Sequence, residues 1–137
     1  MRCFFIFTIC SFVCFNLVAQ KHKKDDDGFV VFTKVEINAV TDFKAWNSYL
    51  KKATILSESA VAGIPAGTYK VNVQFIIDTY GNIAEVKATN RPGYGLAQKA
   101  EKIISGYEGI WQPANQCGRN VKSYKEQIVE FVVPDRK

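Results

Sequence analysis

Residues 69–89 read YKVNVQFIIDTYGNIAEVKAT, and this stretch decides the fold. Apolar and polar residues alternate over residues 69–77, as in a strand that is buried on one face. Residues 78–82 follow, with Gly81 at the late turn position that requires a positive φ angle. The chain then returns as a second strand over residues 83–89, so the stretch predicts an antiparallel hairpin. The period of two predicts a buried face of Ala84, Val86 and Ala88, with Glu85 and Lys87 opposite.

Segments with helical periodicity lie on both sides of this hairpin. The first runs from about residue 42 to about residue 54, and Thr41 and Asp42 provide side-chain oxygens for its N-cap. The second begins at Leu96 and ends near Gly106. Their apolar stripes consist of Phe43, Trp46, Tyr49, Leu50 and Ala53 in the first, and Leu96, Ala100, Ile103, Ile104 and Tyr107 in the second.

A third strand is predicted over residues 121–133, because Val129, Phe131 and Val133 alternate with polar neighbours. Residues 111–118 before it are expected to form a loop, with Trp111 in the core. The order helix, hairpin, helix, strand predicts an α+β domain over residues 41–134. Its three-stranded antiparallel sheet would carry both helices on one face.

The N-terminal region has the layout of a secretory signal peptide. Met1 and Arg2 precede an apolar run over residues 3–19 that ends in Ala19. A membrane-spanning helix needs about 20 strongly apolar residues, and this run is shorter and interrupted by polar side chains. The sequence therefore favours export with cleavage after Ala19. Anchoring in the inner membrane through an uncleaved signal is the alternative.

Residues 20–40 are predicted to form a flexible or extended arm. Residues 21–28 carry opposed charge blocks and no apolar side chain, which indicates a solvated tether. Residues 29–40 are expected to be extended or to form a short added strand. The net charge of +5 is spread along the chain rather than clustered, which argues against nucleic-acid binding.

The residue inventory argues against catalysis. His22 is the single histidine and lies in the predicted tether, so a histidine triad or a multi-histidine metal site is excluded. Three of the four cysteines fall in the signal peptide, which leaves Cys117 without a disulfide partner and without a base to activate it. We therefore expect no enzyme activity, no catalytic residues, no cofactor and no metal.

Several short motifs occur in a characteristic order over most of the mature chain. They are Val31-Phe32-Thr33 with Val35-Glu36, Ala45-Trp46 with Tyr49-Leu50, residues 63–69 (GIPAGTY), residues 75–78 (FIID) with Gly81, residues 92–96 (PGYGL), residues 111–114 (WQPA), and Gly118-Arg119 with residues 121–124 (VKSY). This pattern resembles the C-terminal domain of TonB-like energy transducers, most closely the version common in Bacteroidetes. Two pieces depart from that pattern: Val40-Thr41-Asp42 replaces a Pro-Gly-Gly before the first helix, and Leu56-Ser57 replaces a Tyr-Pro after it. A full transducer is also expected to carry an inner-membrane anchor and a proline-rich spacer, which this sequence does not show.

The resemblance implies a periplasmic protein that adds an extended N-terminal peptide of outer-membrane transporters to the sheet, beside its last strand. It also implies that the partners include an inner-membrane proton-channel complex or another anchored transducer. Two copies of the chain could in addition pair through their strand edges. An adaptor that binds another envelope protein without energy transduction is the alternative. The candidate contact residues are Tyr124, Lys125, Gln127, Ile128, Val129 and Phe131. Charges such as Lys122, Lys125 and Glu126 could instead only protect an exposed edge from unwanted pairing.

Overall fold

The computed structural model describes residues 23–24 and 30–135, and the predicted signal peptide lies outside these residues. The strands are β1 (Lys23–Lys24), β2 (Val30–Val31), β3 (Gly67–Ile77), β4 (Ile83–Ala88), β5 (Ala114–Gln116), β6 (Arg119–Val121) and β7 (Ser123–Val133). The helices are α1 (Phe43–Ala53), α2 (Glu58–Val61) and α3 (Leu96–Ser105). Within residues 30–135, no helix has the length and apolar character that a membrane span requires.

The central sheet is antiparallel, with the strand order β4-β3-β7. β3 pairs with β7 without interruption from Gly67, opposite Val133, to Ile77, opposite Ser123. One face of this sheet forms the core with α1 and α3. The predicted α+β fold, with three antiparallel strands and both long helices on one face, is confirmed. The core includes Trp46 and Leu50 from α1, Leu96, Ala100 and Ile104 from α3, and Val71, Val73, Phe75, Val129 and Phe131 from the sheet.

A β-bulge alters the predicted faces of β4. Phe75 of β3 lies opposite two residues, Glu85 and Val86, and Glu85 adopts a φ angle of 45°. The extra residue shifts the alternation of β4, so Ile83 packs against the core with Val86. The prediction that Ala84 shares this face is therefore wrong, because a strict period of two cannot include an inserted residue.

The predicted helices are confirmed, and Asp42 caps α1 as expected. Its carboxylate accepts hydrogen bonds from the backbone N–H groups of Lys44 and Ala45 at 2.8 and 3.1 Å. Two short features were not predicted. α2 is a single turn of four residues, and the segment expected as a loop contains β5, which forms a small hairpin with β6. β7 accordingly begins at Ser123 and not at residue 121.

The turn between β3 and β4 depends on Gly81. Its φ angle is 88°, and a side chain there would overlap the carbonyl oxygen of Trp111. The Trp111 N–H in turn donates to the Gly81 carbonyl at 3.4 Å. Asp78 closes the turn by accepting N–H bonds from Tyr80 and Asn82, both at 2.8 Å. Partial burial raises the pKa of Asp78, but its hydrogen bonds outweigh that effect and hold the pKa below its usual value.

We expect Gly81→Ala to lower the free energy of unfolding by about 3 kcal/mol or more, because backbone strain adds to the clash with Trp111. Gly63→Ala is the matched control, since Gly63 has a φ angle of 84° but open space around it. It should cost about 1–2 kcal/mol, from strain alone. Urea denaturation of both variants checks the prediction, and equal losses would contradict the close approach to Trp111.

Candidate functional site

The two edges of the central sheet differ in their exposed backbone groups. At the β4 edge, the outward N–H of Ala88 donates to the Glu101 carboxylate of α3 at 2.8 Å. The bulge at Glu85 interrupts the same edge. Bulges and covering side chains are devices that prevent a sheet edge from pairing with another strand. The β4 edge is therefore protected.

The direction of the β7 backbone groups follows from the hydrogen bonds of β3. The backbone of Asn72 bonds on the β4 side, accepting from the N–H of Thr89 at 2.8 Å and donating to the side chain of Asn90 at 2.6 Å. Ile128, opposite Asn72, therefore turns its own N–H and C=O away from β3. The same alternation gives outward backbone groups at Tyr124, Glu126, Ile128, Glu130 and Val132.

The N-terminal arm occupies the first part of this edge. Phe32 forms a parallel β-bridge with Ser123. The Phe32 N–H donates to the Lys122 carbonyl at 3.0 Å, and the Phe32 carbonyl accepts from the Tyr124 N–H at 3.1 Å. Val31, the preceding residue, is fully buried. The described part of the arm thus bonds to the start of β7 and leaves residues 126–132 as the open part of the edge.

Further along, the arm follows residues 112–117. Ile37 pairs with Asn115, and Val40 pairs with Gln112. Ala39 between them is fully buried and belongs to the core. The backbone of Lys23–Lys24 pairs with Val30–Val31, in the segment where the sequence predicted a flexible tether.

A groove runs beside the open edge, between α1 and residues 125–130 of β7; we call it the edge groove. It consists of two adjoining cavities that share Asn47 and Gln127 as lining residues. Site A has a volume of about 450 Å³ and is lined chiefly by Val40, Phe43, Trp46, Phe75, Trp111 and Lys125. Site B has a volume of about 260 Å³ and is lined chiefly by Leu50, Lys51, Thr54, Ile128, Val129 and Glu130.

An aromatic cluster around Trp46 forms the floor of site A. The Trp46 ring meets the rings of Tyr107 and Trp111 edge-on, with centroids 4.7 and 5.4 Å away. Its Nε1–H donates to the side-chain oxygen of Gln127 at 2.9 Å. The Gln127 amide donates in turn to the Ile128 carbonyl at 2.8 Å. Gln127 is therefore held in place as the divider between sites A and B.

Charges are distributed unevenly about the edge. Lys125 lies in site A with its ammonium 5.7 Å from the centre of the Trp111 ring. The acidic residues lie on the opposite face of β7, where Glu126 accepts from the Gln74 amide at 3.2 Å and Glu130 pairs with Lys70 at 2.8 Å. Glu126 and Glu130 border sites A and B, but side chains of β3 engage both carboxylates, whereas Lys125 lies over an aromatic ring of the groove.

The six predicted contact residues fall into three groups. Lys125 and Gln127 are half-buried and line site A, and Ile128 is 54% exposed. Tyr124 is half-buried, and its N–H is bonded to the arm. The side chains of Val129 and Phe131 lie in the core, with 1% and 0% exposure, so only the first three present side chains to the open edge.

The α1 wall of the groove was missed from the sequence. Phe43 was predicted on the buried stripe of the helix, but it is 76% exposed at the mouth of site A, so that prediction is wrong. Helical spacing groups side chains on one face, but it does not show which of them the rest of the fold covers. Trp46 and Trp111 are buried in the core, as predicted.

No three His, Cys, Asp or Glu side chains between residues 30 and 135 form a group that could hold a metal ion. The exposed Cys117 lies beside Glu36, whose carboxylate accepts a hydrogen bond from the Cys117 N–H at 3.0 Å.

No family model, curated protein or solved structure matches this chain.

We expect Glu101→Ala to open the β4 edge, because the Ala88 N–H loses its acceptor. The free energy of unfolding should fall by about 1 kcal/mol, and the Ala88 amide should exchange with solvent much faster in hydrogen-exchange NMR. Lys102→Ala, on the exposed side of the same helix, should stay within about 0.5 kcal/mol of the parent chain. An unchanged Ala88 exchange rate would contradict the assignment of Glu101 as the cap of this edge.

Proposed function

We propose that this chain is a periplasmic, TonB-like peptide-binding protein. In this proposal its β7 edge takes up an extended N-terminal segment of an outer-membrane transporter and thereby contributes to energy-dependent transport across the outer membrane. The observation that carries the proposal is the difference between the two edges: β4 is bulged and capped, whereas β7 keeps its outward N–H groups open over residues 126–132 beside a preformed groove.

Strand addition supplies both affinity and selectivity at such an edge. The outward N–H and C=O groups of Glu126 and Glu130 and the outward N–H of Ile128 would pair with the backbone of the incoming segment. The Ile128 C=O already accepts from the Gln127 amide. Alternate side chains of that segment would enter the edge groove, and the others would lie over the opposite face of the sheet. Because Gln127 is already held by Trp46, this part of the groove is formed before binding, which reduces the entropy cost of association.

The proposed periplasmic location and the proposed inner-membrane partners are inferred from the sequence. The signal-like N-terminus supports export, and the motif resemblance supports a role with an inner-membrane proton-channel complex or with another, anchored transducer. Phe32 of the arm bonds to the β7 edge. A peptide bound at the edge would therefore lie next to the segment that joins this domain to its N-terminus.

We expect N-terminal peptides of the host's outer-membrane transporters to bind the full chain in a saturable manner. In an NMR titration, the largest backbone amide shifts should fall on residues 126–132 and on Asn47 and Lys51 of α1, which line the groove. Absence of shifts with every transporter peptide would overturn this proposal in favour of an envelope adaptor without a role in transport.

Ile128→Pro tests the role of the backbone directly. Proline removes the outward N–H but is tolerated on an edge strand, so the fold should persist while peptide affinity falls at least about tenfold. Ile128→Ala retains the N–H and should weaken binding about threefold at most. Equal losses in the two variants would show that side-chain contacts, and not strand addition, account for binding.

A further inference from the structure

The N-terminal arm is held to the domain in two separate places. Its anchored part, residues 37–40, forms β-bridges with residues 112–115 and buries Ala39 in the main core. Its first described part, residues 30–32, bonds to the start of β7 through Phe32; we call residues 30–32 the strap. Because the anchored part has its own contacts, the strap can leave β7 while the arm stays attached to the domain.

The strap packs outside the main core. Val31 is fully buried, but it does not belong to the core that the sheet forms with α1 and α3. Phe32 is the bridge partner of Ser123, so the preceding Val31 lies over the face of the sheet opposite to Ser123. Ile76, which is 1% exposed, lies on that helix-free face and is also absent from the main core. Loss of the strap would therefore leave the main core intact.

The closed strap also coincides with an unsatisfied polar group. Ser123 is 2% exposed, and its hydroxyl has no hydrogen-bond partner in the part of the chain that the structure describes. A buried hydroxyl without a partner has lost its hydrogen bonds to water without replacing them. Phe32 is the neighbour of Ser123 on the edge, so release of the strap would let water approach this hydroxyl. That gain offsets part of the apolar burial lost at Val31.

The strap covers backbone groups that would otherwise lengthen the free edge. The Tyr124 N–H, which points away from β3 like that of Glu126, donates to the Phe32 carbonyl at 3.1 Å. The Lys122 carbonyl accepts from the Phe32 N–H at 3.0 Å. With the strap closed, the open edge begins at Glu126. With the strap released, it begins at the start of β7.

Resting on the proposed function, we infer that the strap is a displaceable cap that limits the length of the segment added to β7. A short segment pairs with residues 126–132 beside the closed strap. A longer segment that pairs with Tyr124 must displace Phe32, because one edge accepts one strand at a time. Closure of the strap and binding of a long segment therefore exclude each other.

Hydrogen exchange in the free, full chain tests the strap without any ligand. Val31→Ser places a hydroxyl at a fully buried strap position and should speed exchange of the Tyr124 amide about tenfold or more. The Val129 amide bonds to β3 and should keep its protection. Val30→Ser is the matched control, because Val30 is the adjacent strap residue but is 43% exposed; Tyr124 exchange should then change less than about threefold.

Peptides of two lengths test the effect on binding. The probes are blocked peptides of alternating Thr and Val between terminal lysines, with a seven-residue core that matches residues 126–132 or an eleven-residue core that matches all of β7. Val31→Ser should strengthen binding of the long peptide about threefold or more, because the competent state is more populated. Affinity for the short peptide should change less than about twofold. Val30→Ser should leave both affinities within about twofold of the parent chain.

The outcomes separate this inference from the proposed function. If Val31→Ser speeds exchange of Tyr124 and Val129 equally, the strap opens only with the whole domain and the inference is overturned. If the variant strengthens both peptides equally, the strap does not limit length and the inference is also overturned. If Tyr124 alone exchanges faster but neither peptide shifts the β7 amides, the strap is displaceable and the proposed strand addition fails.

Discussion

The register of β3 is the constraint on which the rest of the structure depends. β3 pairs with β7 over all eleven of its residues, while the backbone of Asn72 bonds on the β4 side. This register determines which backbone groups of β7 are used inside the sheet and which point outward. A slip of one residue would turn the fully buried Phe131 to the opposite face and replace it in the core with the neighbouring Glu130 or Val132. The burial of one face therefore determines the chemistry of the free edge.

The same core links the sheet to the groove. Trp46 packs against Tyr107, Phe75 and Trp111, and its Nε1–H also holds Gln127 of β7. Trp111 is in turn fixed by its close approach to Gly81 in the β3–β4 turn. The position of α1 beside β7, and hence the width of the edge groove, follows from contacts in the interior and needs no support from a ligand.

Strong periodicity made much of the fold predictable from the sequence. The hairpin, both long helices and the last strand have enough residues for their period to be recognised. The failures occur where one residue or a tertiary contact decides the outcome. The bulge at Glu85 shifts Ala84 to the other face, and the three-residue strands β5 and β6 are too short to show alternation. Phe43 belongs to the apolar stripe of α1 but is 76% exposed.

The candidate site was predictable to a similar extent. The last strand could be named as the candidate edge, but alternation alone could not show which residues point outward until the pairing with β3 was known. The α1 wall of the groove, including Asn47 and Lys51, depends on how the helix is rotated against β7. The arm at Phe32, which leaves residues 126–132 open, is a long-range contact between residues far apart in the sequence.

Hydrogen exchange along β7 in the free chain tests the central claim most directly, because it measures whether this edge is open. The account predicts rapid exchange of the outward amides of Glu126, Ile128 and Glu130, and strong protection of Gln127 and Val129, which bond to β3. Uniform protection of all these amides would contradict the account, because it would mean that the edge is already covered and has no backbone groups to offer a partner.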